Sequence, residues 1–549
     1  MTPVSSNQTA CDNSPATSAG GQSGLTRLAV TWAMGVGFGV GLLSGCAHTA
    51  PPNAVNADAP PQWFSALPKE SLGVSLPHNA SLSSLSQWWQ LQNDPLLVEL
   101  IEAAQRVGPS VIAARANIEQ ARAARAVSGG SLLPSLDAVG SVSRASGVSG
   151  ATAPQGGGTS ASNPNGSSNA NGSSTPNGLS SGSSGSTIAT TAQLGLQASW
   201  EIDVFGKNVA KRDAAEERLL ASQAQWHDAR VVVAAVVAGQ YYSYLSCVKQ
   251  LAVTAQDAQS RAQTRRLTEL ATRAGFGAPA VAALARASAA EGSSRLTQQR
   301  AQCALIVKAL VALTAIDEPP LAQKLERSLL AFPDGSPQQA IANVPSVPAD
   351  ALSQRPDVYS AARDAAAAGF DVGSAAAARL PRLTLLGNIG ASRTRVGGMS
   401  VSGDTWSFGP LSLTLPLLDG GVSRANLNIA TARQEEAVGK YKSVVRLAVR
   451  EVEEALVNLQ STIERATDTD TAAVGYRASF AGTEARYKAG LANLVELEES
   501  RRTLLAAQGA LINLQLERRN AWIALYRALG GGWQVDANAL DSPALAQKK

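Results

Sequence analysis

Few residues in this sequence have the types and spacing that chemistry needs. Its three histidines, His48, His78 and His227, are scattered, and no pair has the spacing of metal ligands. Gly206-Lys207 lacks the upstream glycine and the following Ser or Thr of a phosphate-binding loop, and no Cys-x-x-Cys pair occurs. No catalytic residue, metal or cofactor is expected. The four cysteines are the remaining reactive set. Cys46 follows Leu43-Ser44-Gly45, the lipobox context in which a bacterial leader is cut and the new terminal cysteine is acylated. Arg27 and the apolar stretch 28–43 complete a secretory leader over 1–45, which contains Cys11. That stretch of 16 residues, four of them glycine, is short for a bilayer span.

The elements that position these groups lie further along. The chain has 549 residues, 45% hydrophobic and 16% charged, with a formal net charge of +4. With no run of Lys and Arg and no interleaved aromatic stripe, a nucleic-acid partner is excluded. No other stretch reaches 18 apolar residues, so a span in the mature chain requires a β-barrel. Residues 46–92 read as a lipidated N-terminal tether, rich in Ala, Pro, Ser and Asn. Asp94-Pro95 then marks a capped helix start, with Leu96, Leu97, Leu100, Ile101 and Ala104 at helical spacing.

The chain next repeats itself. Pro109-Ser-Val111 resembles Pro356-Asp-Val358 and Leu133-Pro134 resembles Leu380-Pro381, both at an offset of 247. Further on, Asp203 with Gly206 matches Asp419 with Gly421, and Arg273-Ala-Gly275 matches Lys488-Ala-Gly490, at offsets of 216 or 215. The first copy therefore carries about 32 extra residues, and an uncharged Gly/Ser/Asn/Thr tract lies in the interval. The organisation expected is a first repeat over 93–320 with a disordered extracellular loop at 146–190, a linker at 321–348, a second repeat over 349–532, and a tail at 533–549.

Each half runs helix, alternating segment, polar loop, alternating segment. Leu194, Leu196, Ala198, Trp200 and Ile202 alternate with polar residues, as do Leu411, Leu413 and Leu415, with Trp406 and Phe408 at one end. Such period-two segments with aromatic margins suit strands that face lipid on one side and a lumen on the other. Runs without helix breakers follow, at about 207–272 and 422–487, long enough for rods of roughly 100 Å. Each rod turns at a glycine, Gly275 or Gly490, and an amphipathic helix returns. Four strands cannot close a barrel and open edges are not tolerated in lipid, so the sheet must close across subunits. Three copies would supply twelve strands.

Trp200-Glu-Ile-Asp-Val-Phe-Gly206, Arg355-Pro-Asp-Val358, Leu415-Pro-Leu-Leu-Asp-Gly-Gly421 and Arg486-Tyr-Lys-Ala-Gly490 resemble the hallmarks of the TolC/OprM outer-membrane efflux family. The lipobox and Trp88-Trp89…Asp94-Pro95 are similar to its lipoprotein (NodT-like) branch. The resemblance implies an α+β membrane protein: a homotrimer whose twelve-stranded β-barrel continues into a long periplasmic α-helical coiled-coil barrel. It also implies a Gram-negative outer-membrane address, consistent with Ala47 where an Asp would favour inner-membrane retention. The implied partners are outer-membrane lipid, a periplasmic membrane-fusion adaptor and an inner-membrane RND-type pump, for passive export of small molecules. A duct for type I protein secretion and a non-pore periplasmic coiled-coil lipoprotein are the alternatives.

By the same resemblance, Arg273, Ala274, Gly275, Lys488, Ala489, Gly490 and Leu491 match the hairpin tips that dock the adaptor. Val495, Glu496, Glu499 and Arg502 fall at the periplasmic constriction, with Glu498 adjacent. Threefold symmetry would turn each glutamate into a ring of carboxylates, favouring cations and responsive to pH. Cys247 and Cys303 each lie 28 residues from Gly275. They are level in an antiparallel hairpin turning there, so a disulfide is expected in the oxidising periplasm.

Overall fold

The computed structural model describes residues 94–148, 186–331 and 355–533, together with positions 60, 63–65, 89 and 352. Cys46, the leader, the rest of the tether and the tail after Trp533 lie outside the described residues.

The two halves are built alike. In the first, α1 (Pro95–Val107) and α2 (Pro109–Gly130) lead into strands β1 (Ser135–Val148) and β2 (Ser186–Ile202). Helices α3 (Lys207–Arg273) and α4 (Pro279–Thr314) follow, then α5 (Glu318–Ala331). The second half repeats the stretch from α2 to α4 as α6 (Pro356–Ala377), β3 (Arg382–Val396), β4 (Met399–Thr414), α7 (Val422–Lys488) and α8 (Leu494–Ala528). The long helices α3 and α7 have 67 residues each and their return helices 36 and 35. A 67-residue helix spans about 100 Å at 1.5 Å per residue.

Two expected boundaries shift. Strand runs through Val148 and resumes at Ser186, so the interval 146–190 begins and ends as sheet. Ser and Thr pair there as readily as the apolar residues below them, and composition alone hid this. The linker at 321–348 opens inside α5, whose Leu321 and Leu325 are fully buried. In addition, α3 is long and apolar enough to pass for a membrane span. Its apolar segment instead fills the core: Val231, Ala234, Val237, Ala238, Tyr241 and Leu245 pack with Leu97, Leu456 and Trp522 midway along the rods.

The repeated motifs are junction chemistry. Asp203 accepts the Val209 amide at 2.7 Å, and Asp419 accepts those of Gly421 and Ser423 at 3.0 and 2.8 Å. These bonds cap the first turns of α3 and α7. Gly206 and Gly421, at φ 76° and 87°, allow the strand-to-helix corner that a Cβ would strain. The buried Arg355 grips Asp357 through two nitrogens, at 3.0 and 2.7 Å. It also donates to the Ala528 carbonyl and to Glu451, each at 2.8 Å, tying α6 to α7 and α8.

The sheet order is β1-β2-β3-β4, all antiparallel. Its register sorts the side chains cleanly. One cross-strand row is Ala138, Leu196, Ile389 and Trp406, and Leu136, Leu194 and Phe408 share that face. The opposite face carries Ser141, Gln193, Gln197, Asn388, Ser392 and Ser407. A register shift between Leu385 and Gly387 keeps Leu411 and Leu413 on the apolar side after Gly409-Pro410. The apolar residues are exposed in the single chain, Phe408 at 82% and Trp406 at 78%, as a lipid-facing wall requires.

Candidate functional site: the helical tips

The first tip closes by the bond pattern of a glycine-terminated helix. Gly275 (φ 80°) donates to the Thr272 carbonyl at 3.1 Å and Phe276 to that of Ala271 at 2.9 Å. The second tip repeats it: Gly490 (φ 75°) donates to Tyr487 at 3.0 Å and Leu491 to Arg486 at 2.8 Å. Pro279 starts α4, whereas Asn493 starts α8 by accepting the Glu496 amide at 2.9 Å. Phe276 and Leu491 project outward, 88% and 71% exposed, with Arg273 and Lys488 in the last helical turns. Between the tips runs a groove of about 450 Å³ that includes Leu267, Ala271, Phe276, Val281, Tyr487 and Lys488.

Helical spacing divides the start of α8 into two faces. Val495, Glu499 and Arg502 lie on the solvent side, where Glu499 pairs with Arg502 and Val495 is 64% exposed. Glu496 lies 3.7 Å from Arg486. The sequence-expected constriction residues thus share an open surface of one chain.

The other face of α8 is buried, and of the charges gathered there the sequence points only to Glu498, as an acid beside the constriction. Arg261 on α3 holds Asp257 at 2.9 Å, Ser288 of α4 at 2.6 Å and Glu498 of α8 at 2.7 Å. Arg501 holds the other Glu498 oxygen at 2.5 Å, Ser260 at 3.0 Å and Thr264 at 3.3 Å, with its guanidinium over the Phe480 ring. Both arginines and Asp257 are almost fully buried. Burial pushes the Arg501 pKa down, opposed chiefly by Glu498, but a guanidinium stays charged. These bonds join both hairpins just inside the tips. Asp257–Arg261 at i,i+4 and Glu498–Arg501 at i,i+3 were the available signal, but such pairs are usually solvated surface pairs. A Cβ on Gly292 of α4 would stand 2.8 Å from the Arg261 Cδ, so any larger residue there would force the arginine or the helices to shift.

Cys247 and Cys303 are joined as a disulfide between α3 and α4, Cα–Cα 5.6 Å. The Gln299 amide donates to the Cys247 sulfur at 3.2 Å. Denatured, unreduced protein is expected to show neither thiol free in a thiol count; two free thiols would contradict the pairing. No cluster able to hold a metal occurs among the described residues.

The chain matches the outer membrane efflux protein family over residues 100–315 and 347–531. It is 32% identical to the outer membrane protein OprJ of Pseudomonas aeruginosa over 357 residues, 64% of this chain and 73% of that one. It is 26% identical to the toluene efflux pump outer membrane protein TtgI of Pseudomonas putida, across 91% of this chain and 98% of its relative. Among solved structures, a Pseudomonas aeruginosa membrane protein superposes with TM-score 0.72 at 26% identity, over 88% of this chain and all of that one. The CmeC outer membrane channel of Campylobacter jejuni gives 0.71 at 21% identity, covering 89% and 96%. With its barrel-type sheet, paired 67-residue rods and glycine tips, this chain belongs to the outer membrane efflux proteins of the OprM/TolC type.

Proposed function

We propose that the chain works as a homotrimer, a passive duct receiving small molecules from a periplasmic adaptor and an inner-membrane RND-type pump. The observation that carries this reading is the sheet: apolar on one face, polar on the other, with β1 and β4 left as unpaired edges. Edges unpaired in lipid cost several kcal/mol per group, and three copies close them into twelve strands. The adaptor docks at the tips through Arg273, Ala274, Gly275, Lys488, Ala489, Gly490 and Leu491. Phe276 and Leu491 offer it apolar purchase and Lys488 a charge. Acylation of Cys46 anchors each subunit. The relative named for toluene efflux favours small-molecule cargo over protein.

Val495, Glu496, Glu499 and Arg502 form the constriction where the three α8 helices converge. A ring of glutamate carboxylates attracts cations and repels itself unless Arg502 counters it. In planar bilayers, the trimer is expected to conduct with cation preference. Glu496→Gln with Glu499→Gln is expected to abolish that preference. Wild-type channels that conduct while the double variant keeps the same cation selectivity would remove the gate assignment.

A further inference from the structure

The apolar face of the sheet does not stay apolar to its outer end. Two and three rows beyond Ile389 and Trp406, away from the helices, the register places Arg393, then Arg144 and Arg395. Arg144 and Arg395 both sit opposite Thr190, on either side of β2. All three arginines are exposed and share the face of Leu194 and Ile389. Along a strand, Arg393 and Arg395 stand about 7 Å apart, and Arg144 lies two strands over, about 10 Å away. Asp404, one row lower, is the single carboxylate of this face among the described strand residues.

Guanidinium groups on a lipid-facing wall are costly at mid-membrane and nearly free at the interface. Since the helices extend into the periplasm, this end of the strands meets the outer leaflet. We propose that Arg144, Arg393 and Arg395 form a binding site for phosphorylated headgroups of outer-leaflet lipid. Planar, permanently charged forks suit phosphate oxygens, and phosphates 7–10 Å apart would be bridged. The apolar band beneath, with Val142, Leu194 and Ile389, takes the acyl chains. A threefold assembly would carry three such patches, each beside a subunit seam through Arg144 on the edge strand.

The test uses the full chain in phosphatidylcholine nanodiscs, with fluorescent diphosphorylated lipid A titrated against its dephosphorylated form. Wild type is expected to bind the phosphorylated lipid preferentially. Each of Arg144→Gln, Arg393→Gln and Arg395→Gln should weaken binding about fivefold, and the triple variant on the order of 100-fold. Inorganic phosphate should not displace the lipid; full displacement by millimolar phosphate would mark a free-anion site and overturn the headgroup assignment. Equal binding of both lipids by wild type overturns the proposal even if no variant folds. A triple variant that conducts and still binds like wild type overturns it as well. Wild-type protein without bilayer conductance would instead overturn the barrel reading on which the site rests.

Discussion

Replacing Arg261 by Met is expected to be among the most damaging single changes in the helical domain. The methionine keeps much of the apolar stem but strips Asp257 of both its bonds at 2.9 Å and Glu498 of one at 2.7 Å. Asp257 would retain only Arg501, at 3.8 Å. Breaking one partner of a buried pair leaves an uncompensated charge and costs about 3–5 kcal/mol. Replacing a surface partner such as Arg465, which pairs with Glu517 where both are about half exposed, should cost under about 1 kcal/mol. Because the cluster spans α3, α4 and α8, the loss should also loosen the two hairpins from each other at the tips. The checks are the thermal transition of the assembled protein and its basal conductance: a lower transition and a leakier channel are expected. A variant indistinguishable from wild type in both would show that the cluster holds nothing together.

The second large effect concerns a pair of neighbours on β3. Ile389 lies in the middle row of the apolar face and Asn388 on the opposite face, bonded to Ser407 at 2.7 Å. An arginine on the lipid side of a barrel at mid-membrane costs about 2–4 kcal/mol per chain, whereas one in the lumen stays hydrated. Ile389→Arg is therefore expected to block stable insertion, seen as loss of heat-resistant oligomer in outer-membrane fractions. Asn388→Arg should assemble normally and move ion selectivity toward anions. The reverse pattern would mean that the faces have been assigned the wrong way round.

Much of this architecture was legible because repetition makes boundaries redundant. Gly275 and Gly490 announced their turns twice, at a constant offset, and both long helices end at Arg273 and Lys488 as that register demands. Cys247 and Cys303 were legible for the same reason, since equal arms on a known turn leave little freedom. Where a single signal stood alone, the reading weakened. The outer ends of β1 and β2, Ser and Gly rich, merged into the neighbouring low-complexity tract. Helix α5 has no counterpart after the second repeat, so repetition does not mark its buried leucines as part of a helix. At the tips, Glu496 and Glu499 stand out in sequence as acids after a turn, while Asp257, Arg261 and Arg501 lie within ordinary helical patterns. Burial, which turns an ordinary i,i+4 pair into a structural pin, depends on the third helix packed against it, and one helix's sequence does not contain that.

In the proposed trimer, the four strands close into a barrel only by pairing β1 of one subunit with β4 of the next. Single cysteines on outward-facing positions of the two edge strands, such as Val142→Cys with Ser402→Cys and neighbouring registers, can be oxidised in isolated membranes. Trimeric closure predicts that some register gives a ladder ending at three covalently joined chains on a denaturing gel, with nothing larger. A limit at two chains, an open-ended ladder, or no cross-link at any register would contradict it.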